Sequence, residues 1–135
     1  MIKRIAHLAF GVKNMEKTLQ FYLDVLGFEK AFTLYDPDDE LVPWIEYVKI
    51  SDSNFIEFFY SDSNHPFAKI ESSYQHFCLE TDDIQAFVKR LNEYHYPLDS
   101  LVSMGLDHNW QCWVKDPDGN RIEIMQYGPN SLQLH

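Results

Sequence analysis

Along residues 1–60, the spacing of hydrophobic and polar positions predicts a strand, a helix and three further strands. Residues 5–10 are apolar apart from His7, which is typical of a buried strand. Asn14 then precedes apolar residues at helical spacing that end at Gly27, so it is the predicted N-cap of a helix. The three strands that follow are predicted at residues 28–35, 44–50 and 55–60.

The same order of elements returns in the second half. A strand at residues 74–80 precedes a helix capped by Asp82 or Asp83, with an apolar face of Ile84, Phe87, Val88 and Leu91. Three strands follow, and the last two cover residues 110–114 and 121–126 around the Pro- and Gly-containing turn 116–120. A shift of 69 positions places His7 on His76, and a shift of 66 places Glu57 on Glu123. The two halves therefore read as duplicated βαβββ modules.

Chain length indicates that the two modules fold as one domain. Each half of the 135 residues is too small to bury a good core by itself. We therefore predict a single domain over residues 1–135, with a first module at about 1–60, a linker at 61–73, a second module at about 74–127 and a loose tail at 128–135.

Composition narrows the possible partners. The chain is 45% hydrophobic and 16% aromatic, and its 11 basic and 21 acidic residues give a net charge of −10, which would repel a phosphate backbone. We expect no nucleic-acid partner. There is no apolar run with the length of a signal peptide or a membrane span, so we expect a cytoplasmic protein without membrane contact. Cys78 and Cys112 form no recognisable motif and receive no role.

Four residues at matched positions are candidate metal ligands. Side chains alternate across a strand, so His7, Glu57, His76 and Glu123 each have mainly apolar neighbours on their own face. A carboxylate in apolar surroundings is costly unless it is paired or binds a metal. Two imidazoles and two carboxylates suit Ni, Co, Zn, Mn or Fe(II). The alternative is that the histidines are core residues bonded to backbone and the glutamates are edge-strand charges, but the coincidence in both halves favours the metal.

Residues on the same predicted faces are candidates for a substrate cavity. They are Phe55, Phe59, Tyr74, Met125 and Arg121. Arg121 can hold a carboxylate or a phosphate through paired hydrogen bonds, and an ion pair at the surface is the competing role. His108, at the start of a strand, can reach the cavity mouth as an acid or base, but a solvated loop position is the favoured interpretation.

Three sequence motifs resemble those of the vicinal-oxygen-chelate superfamily. They are the segment 18–28 with Phe-Tyr and Leu-Gly-Phe, the strand 55–58, and Asp-Pro-Asp-Gly-Asn followed by Glu123. The superfamily includes glyoxalase I, extradiol ring-cleaving dioxygenases, methylmalonyl-CoA epimerase and the fosfomycin and bleomycin resistance proteins. The resemblance implies an α+β fold in which two βαβββ modules form a cupped, eight-stranded mixed sheet with helices outside, often in a homodimer.

The pattern of His7, Glu57, His76 and Glu123 is similar to that of bacterial glyoxalase I. The resemblance implies a divalent metal that holds adjacent substrate oxygens while Glu123, as ligand and base with Glu57 as its partner, moves a proton through an enediolate. In that family an arginine and an asparagine, each four residues after a ligand, hold glutathione; here the positions are Gly11 and Ser61. We therefore expect lyase or isomerase chemistry on another small hydroxycarbonyl metabolite.

Two other functions within the superfamily remain open. An extradiol dioxygenase would use His7, His76 and Glu123 on Fe(II) and leave Glu57 spare. A non-catalytic resistance protein would hold a cationic drug in an acidic, aromatic groove, with which the charge of −10 and the aromatic residues Trp44, Trp110 and Trp113 are compatible. Matched ligand types in both halves favour the lyase or isomerase.

Overall fold

In the computed structural model, the chain divides into two compact units at residues 1–70 and 71–135. The structure describes residues 5, 7–61 and 76–134. Most of the predicted linker, together with Tyr74, lies outside these residues.

In its described residues, the first unit contains a short α-helix that continues as a π-helix, and a four-stranded sheet. Its elements are β1 (His7–Val12), α1 (Met15–Leu19), a π-helical segment (Gln20–Val25), β2 (Glu29–Asp36), β3 (Asp39–Ser51) and β4 (Asn54–Tyr60). The strand order is β1-β4-β3-β2. β1 runs parallel to β4, and the other neighbours are antiparallel.

The predicted ends of the first helix are confirmed. The Asn14 side chain accepts a hydrogen bond from the Lys17 amide at 3.0 Å, as an N-cap does. Gly27 ends the helical segment with a φ of 79°, a backbone conformation that glycine adopts without steric cost. Between these ends, Tyr22 is fully buried and packs on Phe58 of β4, with ring centroids 4.6 Å apart. The helical segment therefore covers one face of its sheet.

The second unit repeats this topology. Its elements are β5 (Phe77–Glu80), α2 (Ile84–Glu93), β6 (Ser100–Met104), β7 (Trp110–Lys115) and β8 (Arg121–Gln126). The strand order is β5-β8-β7-β6, with β5 parallel to β8. Asp83 caps α2 by accepting from the Ala86 amide at 2.9 Å. The α+β prediction of two βαβββ modules is thus confirmed, and the eight strands within the described residues form two four-stranded mixed sheets.

The tail is held more firmly than the sequence suggested, so the expectation of a loose tail from Gly128 was wrong. Asn109 is only 1% exposed; its amide nitrogen donates to Gln133 Oε1 at 2.6 Å and its amide oxygen accepts from the Gly128 backbone at 3.2 Å. The Leu132 amide donates to the Asp107 carbonyl at 2.9 Å. These contacts join the tail to residues 107–109, which lie far away along the chain.

No helix within the described parts of the chain is both long and apolar enough to cross a membrane.

Candidate metal and substrate site

Each sheet has a helix-covered face and a second face that carries the predicted ligands. On β4, Ile56 and Phe58 are fully buried, and on β8, Ile122 and Ile124 are buried in the same way. Glu57 and Glu123 alternate with these residues and therefore lie on the opposite face. We call this the candidate face of each sheet. The predicted division of the strand residues between two faces is confirmed.

Each unit brings one histidine beside one glutamate on its candidate face. His7 Nε2 lies 3.6 Å from Glu57 Oε1, and the two side chains are 50% and 11% exposed. His76 Nε2 lies 3.2 Å from Glu123 Oε2, with side-chain exposures of 40% and 14%. Both glutamates are therefore largely withdrawn from solvent, as the sequence predicted, while both imidazoles stay accessible.

These distances fit ligands of one metal ion as well as simple ion pairs. Two donors bound at about 2.1 Å and at right angles lie about 3 Å apart. Imidazole nitrogen and carboxylate oxygen together suit Zn, Ni, Co, Mn or Fe(II). Among the residues that the structure describes, no three His, Cys, Asp or Glu side chains form a group that could hold a metal ion. The prediction of four ligands, which needs both pairs, stays a prediction.

Tyr47 lies next to Glu57, and the sequence analysis did not identify it. In the β3–β4 pairing Tyr47 stands directly opposite Glu57, so both side chains project from the candidate face. The Tyr47 hydroxyl donates a hydrogen bond to Glu57, and this bond raises the pKa of Tyr47. Phe32 of β2 stacks on the Tyr47 ring with centroids 4.3 Å apart. Glu57 therefore has an aromatic hydroxyl beside it as well as an imidazole.

Glu123 has different neighbours. Cys78 of β5 and Trp113 of β7 stand opposite it in the sheet. Trp113 contacts His76 edge-on, with ring centroids 4.7 Å apart. Burial and, to a smaller extent, the nearby charges of Glu123 and Asp107 together raise the pKa of the Cys78 thiol to about 12. A raised pKa disfavours the thiolate form of Cys78.

Arg121 lies beside the second pair and forms an ion pair. Its Nε is 3.1 Å from Asp99 Oδ2, and Lys115 Nζ is 3.2 Å from Asp99 Oδ1. Hydrogen bonds from Lys115 and Arg121 hold the pKa of Asp99 below its usual value. The ion-pair role that the sequence allowed for Arg121 is thus present, and its contact with a substrate stays a prediction.

The other predicted cavity residues differ in their surroundings. Phe55 and Phe59 are half-buried, and Phe59 meets Trp44 edge-on with ring centroids 6.0 Å apart. Met125 is buried. His108 is exposed, adopts a φ of 63°, and its Nδ1 lies 3.1 Å from the Asn130 carbonyl, so its ring contacts the tail.

Residues 4–124 match the Glyoxalase/Bleomycin resistance protein/Dioxygenase superfamily. The chain belongs to this superfamily. Among characterised relatives, the lactoylglutathione lyase of Pseudomonas putida is 27% identical over 91% of this chain and 84% of that protein. The lactoylglutathione lyase of Neisseria meningitidis serogroup B is 26% identical over 91% of this chain and 90% of its own length.

Solved structures confirm the fold. A lactoylglutathione lyase from Agrobacterium tumefaciens aligns with a TM-score of 0.69 and 21% identity, covering 93% of this chain and 94% of that one. A glyoxalase family protein from Enterococcus faecalis aligns with a TM-score of 0.73 and 24% identity, covering 91% of this chain and 97% of that one. The match of residues 4–124 to the superfamily confirms the resemblance found in the sequence motifs.

Proposed function

We propose that this superfamily member is a metal-dependent lyase or isomerase of the glyoxalase I type, acting on a small metabolite with vicinal oxygens. The reaction is a proton transfer between neighbouring carbons through an enediolate. The observation that supports it is the repetition of one arrangement, an accessible imidazole beside a shielded carboxylate, in both units. Core histidines and edge-strand charges have no reason to recur in this form.

The proposed ligands are His7, Glu57, His76 and Glu123. When bound, a divalent ion such as Ni, Co, Zn, Mn or Fe(II) would polarise the substrate carbonyl and offset negative charge on its oxygens. A bound cation would also offset the cost of holding two carboxylates with little solvent. The two half-exposed imidazoles leave space from which a substrate can approach.

Glu123 is the proposed base, and Glu57 is its partner in the ligand set. A carboxylate abstracts a proton from carbon effectively only when it lies within reach of that carbon and is poorly solvated. The Glu123 side chain is 14% exposed, which satisfies the second condition. Across the neighbouring strands it faces Cys78 and Trp113, and His76 Nε2 lies 3.2 Å from its Oε2.

The proposed substrate contacts combine apolar walls with one cation. Phe55, Phe59, Tyr74 and Met125 would supply the walls, and His108 would lie at the mouth. Arg121 would bind a carboxylate or phosphate of the substrate. Asp99 already fixes its Nε at 3.1 Å, which orients the planar guanidinium before a substrate arrives.

A substrate other than a glutathione adduct is favoured. Gly11 and Ser61 occupy the two positions at which bacterial glyoxalase I, which the ligand pattern resembles, contacts glutathione. Both residues are exposed in this chain. Glycine has no side chain, and a serine hydroxyl lacks the reach and the paired donors of an amide or a guanidinium. The named relatives are lactoylglutathione lyases at 26–27% identity, so a glutathione hemithioacetal belongs in any substrate screen.

A homodimer in the cytoplasm is the proposed working form. The dimer is proposed because members of the superfamily that the chain resembles are often homodimers. The net charge of −10 favours solubility of a small protein. Size-exclusion chromatography with light scattering distinguishes a particle of twice 16.0 kDa from the monomer.

Metal analysis followed by a substrate screen tests the function. Protein purified without chelators should contain a stoichiometric divalent transition ion. The metal-loaded protein should convert an α-hydroxycarbonyl compound without consuming oxygen. Oxygen uptake with a catechol would replace the proposal with an extradiol dioxygenase, and a metal-free protein that binds cationic drugs would replace it with a resistance protein.

A further inference from the structure

The two glutamates face different residues at one structurally equivalent position. Tyr47 stands opposite Glu57 in the β3–β4 pair, and Trp113 stands opposite Glu123 in the β7–β8 pair. The same shift of 66 positions that relates the glutamates also relates Tyr47 to Trp113. One carboxylate therefore has a phenol hydroxyl across the strand pair where the other has an indole.

The surroundings of Tyr47 fix its hydroxyl close to Glu57. Phe32 stacks on the ring at 4.3 Å with an interplanar angle of 17°, which restricts the orientation of the phenol. His7 reaches Glu57 Oε1 from the other neighbouring strand at 3.6 Å. Glu57 thus has a histidine of β1 on one side and a tyrosine of β3 on the other.

We propose that Tyr47 is a positioning residue that holds the Glu57 carboxylate in one orientation as a permanent metal ligand. This inference rests on the proposed metal-dependent function. A hydroxyl that donates to a ligating carboxylate selects which oxygen binds the ion and reduces the freedom that the carboxylate loses on binding. At the equivalent position Glu123 faces the indole of Trp113, so the proposed positioning role concerns the glutamate of the first unit alone.

The chain contains a matched control for the Tyr47 hydroxyl. Tyr60, also in the first sheet, donates its hydroxyl to Glu46 at 2.8 Å, and both residues lie on the helix-covered face. Tyr60→Phe removes a tyrosine–glutamate hydrogen bond of the same chemistry away from the candidate face. Any effect of lost stability on metal binding appears in this variant as well.

The experiment measures Co(II) and Zn(II) affinity by calorimetry, and the visible spectrum of the Co(II) protein, for the wild type and both variants. We expect Tyr47→Phe to bind about 10 to 100 times more weakly, with a shifted Co(II) spectrum. We expect Tyr60→Phe to stay within about threefold of wild type with an unchanged spectrum.

Each other outcome has one meaning. A wild-type protein that binds neither ion overturns the proposed function and this inference together. A wild type that binds while Tyr47→Phe matches it in affinity and spectrum overturns the role of Tyr47 alone. Equal weakening in both variants assigns the effect to general stability and also overturns that role.

Discussion

The Arg121 guanidinium lies over the indole ring of Trp113, with its Cζ atom 4.3 Å from the ring centroid. Asp99 meets the same guanidinium at its Nε. The ring and the carboxylate together fix the plane of the guanidinium. The side chain therefore loses its rotational entropy when the protein folds, before any ligand is bound. Such preorganisation is useful when the guanidinium must meet a planar anionic group.

Arg121→Lys should weaken substrate binding more than it slows the reaction. Lysine keeps the charge but loses the flat surface that stacks on Trp113 and the fork that pairs with a carboxylate. We expect KM for an anionic substrate to rise about tenfold with kcat changed little, which corresponds to about 1.4 kcal/mol. Steady-state kinetics on the substrate found by screening measure this. A lower kcat with unchanged KM would contradict the binding role.

Glu123→Gln should remove turnover and weaken metal binding. The amide is a poor ligand and has no proton affinity in the useful range, so we expect kcat to fall at least about 100-fold. Glu93→Gln, an exposed position at the end of α2, is the control and should keep wild-type activity. Turnover within a few-fold of wild type in Glu123→Gln would mean that another group carries the proton.

The parts of the fold that local chemistry determines were predictable from the sequence. Asn14 and Asp83 cap their helices because a short polar side chain before an apolar helical pattern satisfies the first amides. The duplication predicted the matching histidines and glutamates, and strand alternation predicted that each glutamate lies on the face of its own sheet that the helix does not cover. These inferences need only neighbouring residues or a comparison of the two halves.

Cross-strand partners could not be obtained in the same way. Tyr47 meets Glu57 only because the β3–β4 turn sets the register, and a shift of one residue would send the tyrosine to the other face. The ten-residue spacing on either side of the two turns, Tyr47 to Glu57 and Trp113 to Glu123, was the available signal. The anchored tail was missed because its partners, residues 107–109, lie about 20 positions earlier along the chain.

Glu46 forms a buried network whose contribution to stability depends on pH. Burial acts to raise the pKa of Glu46. Hydrogen bonds from Thr33 at 2.6 Å and Tyr60 at 2.8 Å, and an ion pair with Lys30 at 3.0 Å, act in the opposite direction. Together they outweigh burial and hold the pKa of Glu46 below its usual value. A carboxyl with a lowered folded-state pKa stabilises the fold above its unfolded pKa of 4.5, and this contribution is lost as pH falls through the lower value.

Glu46→Gln should therefore lower stability at pH 7 and flatten its dependence on pH. We expect a loss of about 1–3 kcal/mol at pH 7, because the charged hydrogen bonds and the ion pair to Lys30 are weakened. The difference from wild type should shrink below pH 4.5. Urea denaturation across this range measures it, with the exposed Glu40→Gln as control. A constant difference at all pH values would contradict the assignment.

Asn109→Ala should release the tail. Its side chain bonds Asp107, Gln133 and the Gly128 amide, and alanine leaves the Gly128 amide without that acceptor in a buried place. We expect a loss of about 1–3 kcal/mol in the free energy of unfolding and faster proteolysis after residue 127.

Gly128→Ala tests the same attachment from the other side. A Cβ at this position would lie 2.2 Å from the His108 carbonyl oxygen, which is backbone and cannot move aside without displacing the loop. We expect tail cleavage to accelerate in this variant as in Asn109→Ala, while the exposed neighbour Pro129→Ala behaves as wild type. Limited proteolysis followed by mass spectrometry measures all three variants. If Gly128→Ala resists protease as wild type does, the packing of the tail on residues 107–109 is not what protects it.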